Sequence, residues 1–330
     1  MTENIFERPL TRRQVLAAGI ATGATFLVGC GSGGHDAAGW TFVDDRKLKV
    51  SLSKRPTRIV AYTTAAAALD EWGITPVGVF GDNPRQDASL ASFPWAKSQI
   101  VGSVYGEIDV APLHAVGAEL IVSRWYPLRH ASPVFGFKGL AQQTSIGSKV
   151  PIIGINGHST SMEQIHRFGD LARALGVDTE SGTIAAARAA FIAAAGKLSA
   201  VAQRKPSLRI IAVSGEQSTM YVAKLVDTAD LTFYKRHGVP LVSAHTSDMY
   251  WDALSWGEAG KYPADGILYD ARQIALPLSV VKTIPAFAAL PAVLANQIGA
   301  WQADTPPSYQ AYTRAMNDLA TTIASWRKVT

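Results

Sequence analysis

Apolar residues recur at alternating spacings of three and four between residues 178 and 204, the pattern of a helix with one buried face. They are Ile184, Ala187, Phe191, Ala194, Leu198 and Val201. Asp178 or Thr179 can cap the start, and no proline interrupts the stretch before Pro206. The pattern predicts a helix from Asp178 to Arg204, roughly 40 Å long. Such a helix is either an ordinary surface helix or a rigid spine that joins two lobes.

Short apolar runs alternate with helical patterns on both sides of this helix. Before it, the runs predict strands at Arg58–Tyr62, Val77–Phe80, Ile100–Val101, Leu120–Ser123 and Pro151–Ile155. After it, they predict strands at Arg209–Val213, Met220–Val222, Val239–Val242, Gly266–Tyr269 and within Val293–Trp301. Strands alternating with helices indicate parallel sheets covered by helices. The sequence therefore predicts an α/β fold of two Rossmann-like lobes, at 55–158 and 206–330, joined by a helical connector at 159–205.

Aromatic side chains and one arginine fall where such a fold binds ligands. Ligands lie beyond the carboxyl ends of parallel strands, which selects the loops after Tyr62, Phe80, Ser123, Val213 and Val242. The candidate residues on or near these loops are Tyr62, Tyr105, Arg124, Trp125, Tyr126, Tyr250 and Trp251. Tyr and Trp offer flat apolar faces with a polar end, and Arg adds a forked positive charge. The set predicts a site for a bulky, partly anionic, oxygen-rich chelate, although each aromatic residue alone could simply pack the lobe interface.

The first thirty residues carry an export pattern. Thr11–Leu16 (TRRQVL) resembles a twin-arginine motif, and an apolar stretch follows that is too short for a stable membrane span. It ends in Leu27–Cys30 (LVGC), which resembles the lipobox of bacterial lipoproteins. We therefore expect a signal peptide at 1–29, lipidation of Cys30, a tether at 30–54 and attachment to the outer face of the cell membrane. Cys30 is the only cysteine, so a disulfide is excluded.

Composition and motifs argue against several functions. The net charge of +5 is spread along the chain without a basic run, so nucleic acid is not expected as a partner. The seven histidines form neither an HxH nor an HExxH arrangement, and GxSxG and Walker A motifs are absent from the sequence. The sequence therefore predicts no catalytic residues, no metal site and no cofactor.

Several stretches together resemble the class III substrate-binding proteins of ABC importers. They are Arg58–Val60, Gly106–Val110, Ala118–Val122, Leu254–Glu258, Tyr262–Leu268 and Leu290–Val293, which cover roughly residues 55 to 325. The likeness is greatest to the iron-siderophore branch. It implies the class III periplasmic-binding-protein fold, a monomer, a ferric siderophore as ligand and an ABC transporter permease as partner.

The resemblance also implies carboxylates that dock on the permease, and here the sequence departs from the pattern. Where the family places a glutamate, this chain has Ala111. Asp109 and Glu107 are nearby substitutes in the first lobe, and Asp227 lies near the expected position in the second. Three alternatives stay open: a cobalamin- or haem-binding protein of the same fold, an exported enzyme, and an exported scaffold without a role in transport.

Overall fold

The computed structural model describes residues 39–127 and 132–330. The expected signal peptide, Cys30 and the first part of the tether lie outside the described residues. The described chain forms one compact unit. Its two five-stranded sheets and surrounding helices confirm the α/β class and the two-lobed architecture expected from the sequence.

The first lobe is built on a parallel sheet with strand order β5-β4-β3-β6-β7. Its central strands are buried on both faces, and the alanines Ala65–Ala68 of the first helix let that helix pack closely on them. Its elements in chain order are β1 (Trp40–Val43), β2 (Lys49–Leu52), β3 (Ile59–Tyr62), α1 (Thr63–Glu71), β4 (Gly78–Phe80), β5 (Gln99–Gly102), α2 (Val110–Ala115), β6 (Leu120–Trp125), α3 (Leu140–Gly147) and β7 (Ile152–Asn156).

Strands β1 and β2 form an antiparallel hairpin inside the range predicted as a tether. Trp40 is buried, and its indole Nε1 donates to the Ala174 carbonyl at 2.8 Å. The Arg167 guanidinium donates to Asp45 Oδ1 at 2.7 Å and to the Val43 carbonyl at 2.9 Å. The prediction of a tether over 30–54 is therefore wrong for residues 40–52, because Trp40 and Phe42 bury apolar surface on the lobe.

Two helices, α4 (Ser161–Ala174) and α5 (Gly182–Gln203), connect the lobes. The predicted long helix exists but begins at Gly182, four residues after the expected start at Asp178. Asp178 instead makes a turn, in which its carboxylate accepts from Glu180 N at 3.0 Å and its carbonyl accepts from Ser181 N. Ser181 is the N-cap residue, with extended backbone.

The second lobe has a mixed sheet with strand order β10-β9-β8-β11-β12. Strand β9 is antiparallel to β8 and to β10, whereas β11 is parallel to β8 and β12. Its elements in chain order are β8 (Ile210–Gly215), β9 (Thr219–Ala223), α6 (Ala229–Arg236), β10 (Trp251–Ser255), β11 (Gly266–Asp270), α7 (Leu278–Val281), α8 (Pro285–Ala288), α9 (Pro291–Leu294), β12 (Ile298–Trp301) and α10 (Tyr309–Ser325).

Two expectations for this lobe are wrong. The sheet is not wholly parallel, because only three residues connect β8 to β9 and a crossover between parallel strands needs a dozen or so. The predicted strand at Val239–Val242 is reduced to a single bridge between Leu241 and Ile210. Strand β10 occupies the edge beyond β9 instead.

Helix α5 buries Ile184, Phe191, Leu198 and Val201 of the predicted stripe and packs along α10. By length and hydropathy alone α5 could cross a membrane, but this buried face suits a helix inside a globular fold. The start of α10 also reaches the first lobe, since the Tyr312 hydroxyl donates to Ser161 Oγ at 2.8 Å. The two lobes are therefore connected both by α5 and by α10.

Candidate functional site

The carboxyl ends of the strands of the two sheets face a cleft that contains two adjoining cavities. The first cavity has a volume of about 330 Å³ and the second about 430 Å³. Residues that follow β3, β4, β6, β7, β11 and β12 line them, as the strand-end rule predicts. The two cavities share the four residues Tyr105, Phe135, Arg272 and Asp304.

Aromatic rings form most of the wall of the first cavity. They belong to Tyr105, Tyr126, Phe135, Tyr250, Trp251, Trp301 and Tyr312. Tyr126 makes edge-to-face contacts with Phe135 and Tyr250, at centroid distances of 5.4 and 6.3 Å. Because these rings come from both lobes and support one another, they present a preformed apolar surface to a ligand.

Arg124 lies on the floor of this cavity and only 4% of it is exposed. It does not follow strand β6, as the sequence predicted, but belongs to it, because β6 stays paired with β7 as far as Trp125 and Asn156. Its guanidinium donates to Asp304 of the other lobe and lies 5.6 Å from the centre of the Tyr126 ring. Burial, the largest single cause, would lower the pKa of Arg124, but the Asp304 carboxylate and the neighbouring tyrosines together raise the pKa above its ordinary value, so the group stays charged.

Asp304 is the counterpart of Arg124 and was missed by the sequence reasoning. It accepts a hydrogen bond from the Tyr126 hydroxyl at 3.2 Å, and Arg272 Nη1 lies 4.0 Å from its other oxygen. The signal that could have found it is the strand-end rule, because Asp304 comes three residues after β12. A strand is predicted from the sequence within Val293–Trp301, but the loop after it is not among the selected loops, so Asp304 was not considered.

Arg272 was missed for the same reason and follows β11. Its guanidinium forms a two-point interaction with the buried Asp270, with Nη2 at 2.7 Å and Nε at 3.1 Å from Oδ2. Asp270 also accepts from the Ser214 hydroxyl at 3.0 Å. Both arginines of the cleft are therefore already paired with carboxylates.

Tyr250 crosses the cleft from the second lobe. Its backbone has a positive φ of 65°, and its amide donates to Asp227 Oδ2 at 3.1 Å. Its hydroxyl lies 3.0 Å from Nδ1 of His158 on the first lobe. Burial, the largest cause, raises the pKa of Tyr250 to about 12, so the phenol is neutral near pH 7.

The predicted docking residue Asp227 lies beside the candidate site. It lines the first cavity, and its carboxylate accepts from Tyr250 N and lies 3.4 Å from Lys224 Nζ. Its docking role stays a prediction. Asp109 is exposed at the start of α2, and its docking role stays a prediction.

The remaining predicted residues divide between the cavities. Tyr105 lies in both, Tyr126, Tyr250 and Trp251 in the first, and Tyr62 in the second. Trp251 begins β10, where its ring lies 6.0 Å from that of Trp301. Trp125 is not among the residues that line the two cavities, and its indole donates to the Ser132 carbonyl at 3.3 Å, so its ligand-binding role stays a prediction.

Asp230 is a buried carboxyl group beside the first cavity. It accepts from the Trp301 indole at 2.7 Å and from Leu231 N at 2.8 Å. Burial raises its pKa to about 7, against the lowering effect of these hydrogen bonds. Within residues 39–127 and 132–330, no group of three or more His, Cys, Asp or Glu side chains could hold a metal ion.

Two α/β lobes, one long connecting helix and an aromatic cleft between strand ends are the architecture of the class III periplasmic-binding-protein fold. The resemblance found in the sequence is confirmed by comparison with solved structures. The chain is similar to DesE, a ferric-siderophore receptor protein from Streptomyces coelicolor, with 28% identity and a TM-score of 0.81. That match covers 88% of this chain and all of DesE (100%).

Two further structures share the fold at lower identity. A siderophore periplasmic binding protein from the fuscachelin gene cluster of Thermobifida fusca is 18% identical, with a TM-score of 0.59 over 81% of this chain and 96% of its own. FhuD2 from Staphylococcus aureus, solved with bound ferrioxamine B, is 16% identical, with a TM-score of 0.57 over 81% of this chain and 98% of its own. No family model and no curated protein matches the chain.

Proposed function

We propose that this protein captures a ferric siderophore outside the cytoplasm and delivers it to an ABC importer. The observation that supports this proposal is the aromatic cleft between the lobes, which the buried Arg124 guanidinium also lines. Rings suit the organic shell of a chelate, and forked N–H donors suit its metal-bound oxygens. The likeness to DesE over its whole length supports the same ligand class.

Arg124 has a further property that favours an oxygen-rich ligand. Its Nε–H is buried and has no hydrogen-bond partner among the described residues. A buried donor without a partner costs roughly 1–3 kcal/mol, so a ligand oxygen that reaches it contributes more than an ordinary surface contact. This donor is on the one guanidinium that lines the first cavity from the first lobe.

Tryptophan fluorescence tests the proposal directly. Purified protein is titrated with ferrioxamine B, ferrichrome, ferric enterobactin, haem and cobalamin, and saturable quenching by one of the ferric siderophores is expected. Trp251→Phe should lose much of the quenching, because Trp251 lines the first cavity. Trp95→Phe is the matched control, since Trp95 lies outside both cavities. Saturable quenching by haem or cobalamin alone would contradict the ligand class.

The proposal extends to a monomer anchored by acyl chains on Cys30 after twin-arginine export. The arginine pair, the short apolar run and the LVGC sequence lie within thirty residues. Each buried CH₂ of an acyl chain contributes about 0.8 kcal/mol, so Cys30→Ala should release the protein from membranes. Fractionation and labelling with a palmitate analogue check this, and a variant retained like wild type would contradict it.

Asp109 is the proposed docking carboxylate of the first lobe. Asp109→Lys should leave chelate affinity unchanged, because the residue lies on the exposed surface outside both cavities. Iron uptake by cells should fall, because a positive charge would repel an arginine of the permease. Unchanged uptake would remove Asp109 from the interface. Asp318→Lys, on an exposed carboxylate of α10 outside both cavities, is the control for general charge effects.

A further inference from the structure

Asp304 lines both cavities and lies close to one arginine from each lobe. It accepts from Arg124 of the first lobe, and its other oxygen lies 4.0 Å from Arg272 of the second. The Tyr126 hydroxyl adds a third donor at 3.2 Å. A ligand in either cavity therefore meets this carboxylate, whose side chain is 16% exposed.

The charge around Asp304 is negative rather than positive. The described residues that line the two cavities include two arginines and no lysine or histidine. They also include the carboxyl groups of Asp82, Asp87, Asp227 and Asp304, besides Asp230, whose raised pKa of about 7 keeps it partly protonated near neutral pH. Because both arginines are already paired with Asp304 or Asp270, neither offers an uncompensated positive charge to a ligand.

Ferric siderophores differ sharply in net charge. Three hydroxamates each bring one negative charge to Fe³⁺, so the iron centre of a tris-hydroxamate is neutral. Three catecholates each bring two, so a tris-catecholate carries three negative charges. A partly buried cleft amplifies such differences, because charges there are weakly screened.

We infer that Asp304 is a specificity-determining residue that excludes polyanionic chelates and restricts the cleft to neutral or cationic ones. The inference rests on the proposed function and names its substrate class as hydroxamate-type chelates. Asp304 cancels the Arg124 charge, so Arg124 acts as a hydrogen-bond donor to metal-bound oxygens and not as a counter-ion. This reverses the sequence-based expectation of a partly anionic ligand.

Asp304→Asn tests the inference with little change in shape, since the amide oxygen can still accept from Arg124 and Tyr126. Wild type should bind neutral ferrichrome and bind ferric enterobactin at least about 100-fold more weakly, a difference of roughly 2.7 kcal/mol. The variant should gain about 10-fold or more in affinity for ferric enterobactin and change less than about threefold for ferrichrome. Asp248→Asn, which removes an exposed carboxylate outside both cavities, is the matched control and should leave the ratio nearly unchanged.

A salt series on wild type gives an answer that does not depend on the variant's folding. If Asp304 repels the trianion, raising the salt concentration should strengthen ferric enterobactin binding to wild type and should not affect ferrichrome. The outcomes separate the two hypotheses. Wild type that binds none of the ferric siderophores of the titration panel overturns the proposed function. Wild type that binds ferrichrome, with a ratio unaltered by Asp304→Asn and by salt, overturns only the role of Asp304, as does tighter binding of ferric enterobactin than of ferrichrome.

Discussion

Arg124 and Asp304 form an ion pair across the cleft, and removing one partner should affect both stability and binding. Breaking a buried pair by deleting one charge costs roughly 3–5 kcal/mol, because the other charge is left without compensation. Arg124→Gln should therefore lower the free energy of unfolding by about 3 kcal/mol, since Asp304 keeps partial contact with water. Chemical denaturation measures this.

The same variant should weaken chelate binding, because a hydrogen bond from a charged donor contributes about 1.5–3 kcal/mol, or 10- to 150-fold in affinity. The double variant Arg124→Gln, Asp304→Asn should recover most of the stability but little of the affinity. Arg85→Gln, on an exposed arginine outside both cavities, is the control. Unaltered affinity in Arg124→Gln would remove Arg124 from the binding site.

Asp230 should make stability depend on pH. Its pKa is raised from 3.8 to about 7 by burial, so between these values the folded state keeps a proton that the unfolded state has released. Relative to Asp230→Asn, wild type should therefore lose stability as pH rises from about 4 to about 7 and change little above that. Melting temperatures across this range check the prediction.

The control for Asp230→Asn is Asp248→Asn, which removes an exposed carboxylate of the same lobe. Its melting curve should follow that of wild type at every pH. Parallel curves for wild type and Asp230→Asn would show that the buried carboxyl does not titrate in this range. The Trp301 indole can still donate to the amide oxygen of asparagine, so the comparison isolates charge.

The candidate site could be predicted from the sequence only where the ends of the strands could be predicted. Tyr126, Tyr250 and Trp251 line the first cavity, as expected for residues near strand ends. Trp125 does not line either cavity, because β6 continues to it and successive side chains of a strand point to opposite faces. Arg124 faces the cavity for the same reason. Its pairing with Asp304 joins residues 180 positions apart, which no local pattern reports.

Helix α5 contains a glycine, Gly196, whose replacement by alanine should stabilise the protein. Gly196 is exposed, and no described atom lies within 4 Å of where a Cβ would be. Gly196→Ala should therefore raise the free energy of unfolding by about 0.5–1 kcal/mol, because alanine has less backbone freedom to lose. Denaturant titration gives the value.

Gly176, in contrast, is a glycine whose replacement by alanine should destabilise the protein. It follows α4 with a φ of +90°, and an added Cβ would collide with Arg55 Nη1. Gly176→Ala should lower stability, because alanine is strained in the left-handed region. A stabilised Gly176→Ala, or a destabilised Gly196→Ala, would contradict the helix geometry described here.

Sequence patterns identified most helices and strands but not their pairing. Alternating runs and glycine stops were enough for α1, β3 and β6, whose local periodicity agrees with their burial. The antiparallel β8–β9 hairpin was read as part of a parallel sheet, although its three-residue connection is too short for a crossover. The Val239–Val242 run is apolar enough for a strand, but β9 already fills the place beside β8.

The molecule as a whole should change little in shape when it binds a ligand. Besides the proline-free α5, the lobes are joined behind the cleft where the Glu71 carboxylate accepts from Ser308 Oγ, Ala311 N and Arg314 Nη2. Small-angle scattering curves with and without a bound ferric siderophore should superimpose. A clear ligand-dependent fall in the radius of gyration would contradict a rigid connection.

A variant with weakened interlobe contacts provides the comparison. Glu71→Ala with Tyr312→Phe removes the carboxylate and the hydroxyl that join α10 to the first lobe. Its empty form should give a larger radius of gyration than wild type. If it does not, α5 alone is enough to fix the lobes.

Because α5 and α10 fix the back of the cleft, this carrier cannot discharge its cargo by swinging open. The lifetime of the complex is then set by contacts within the cleft, and differences between chelates should appear in the dissociation rate rather than the association rate. A siderophore would leave the isolated protein slowly. The importer would have to do the work of separating the two lobes. Release of the ligand would therefore depend on the importer's ATP and not on elastic strain within the binding protein.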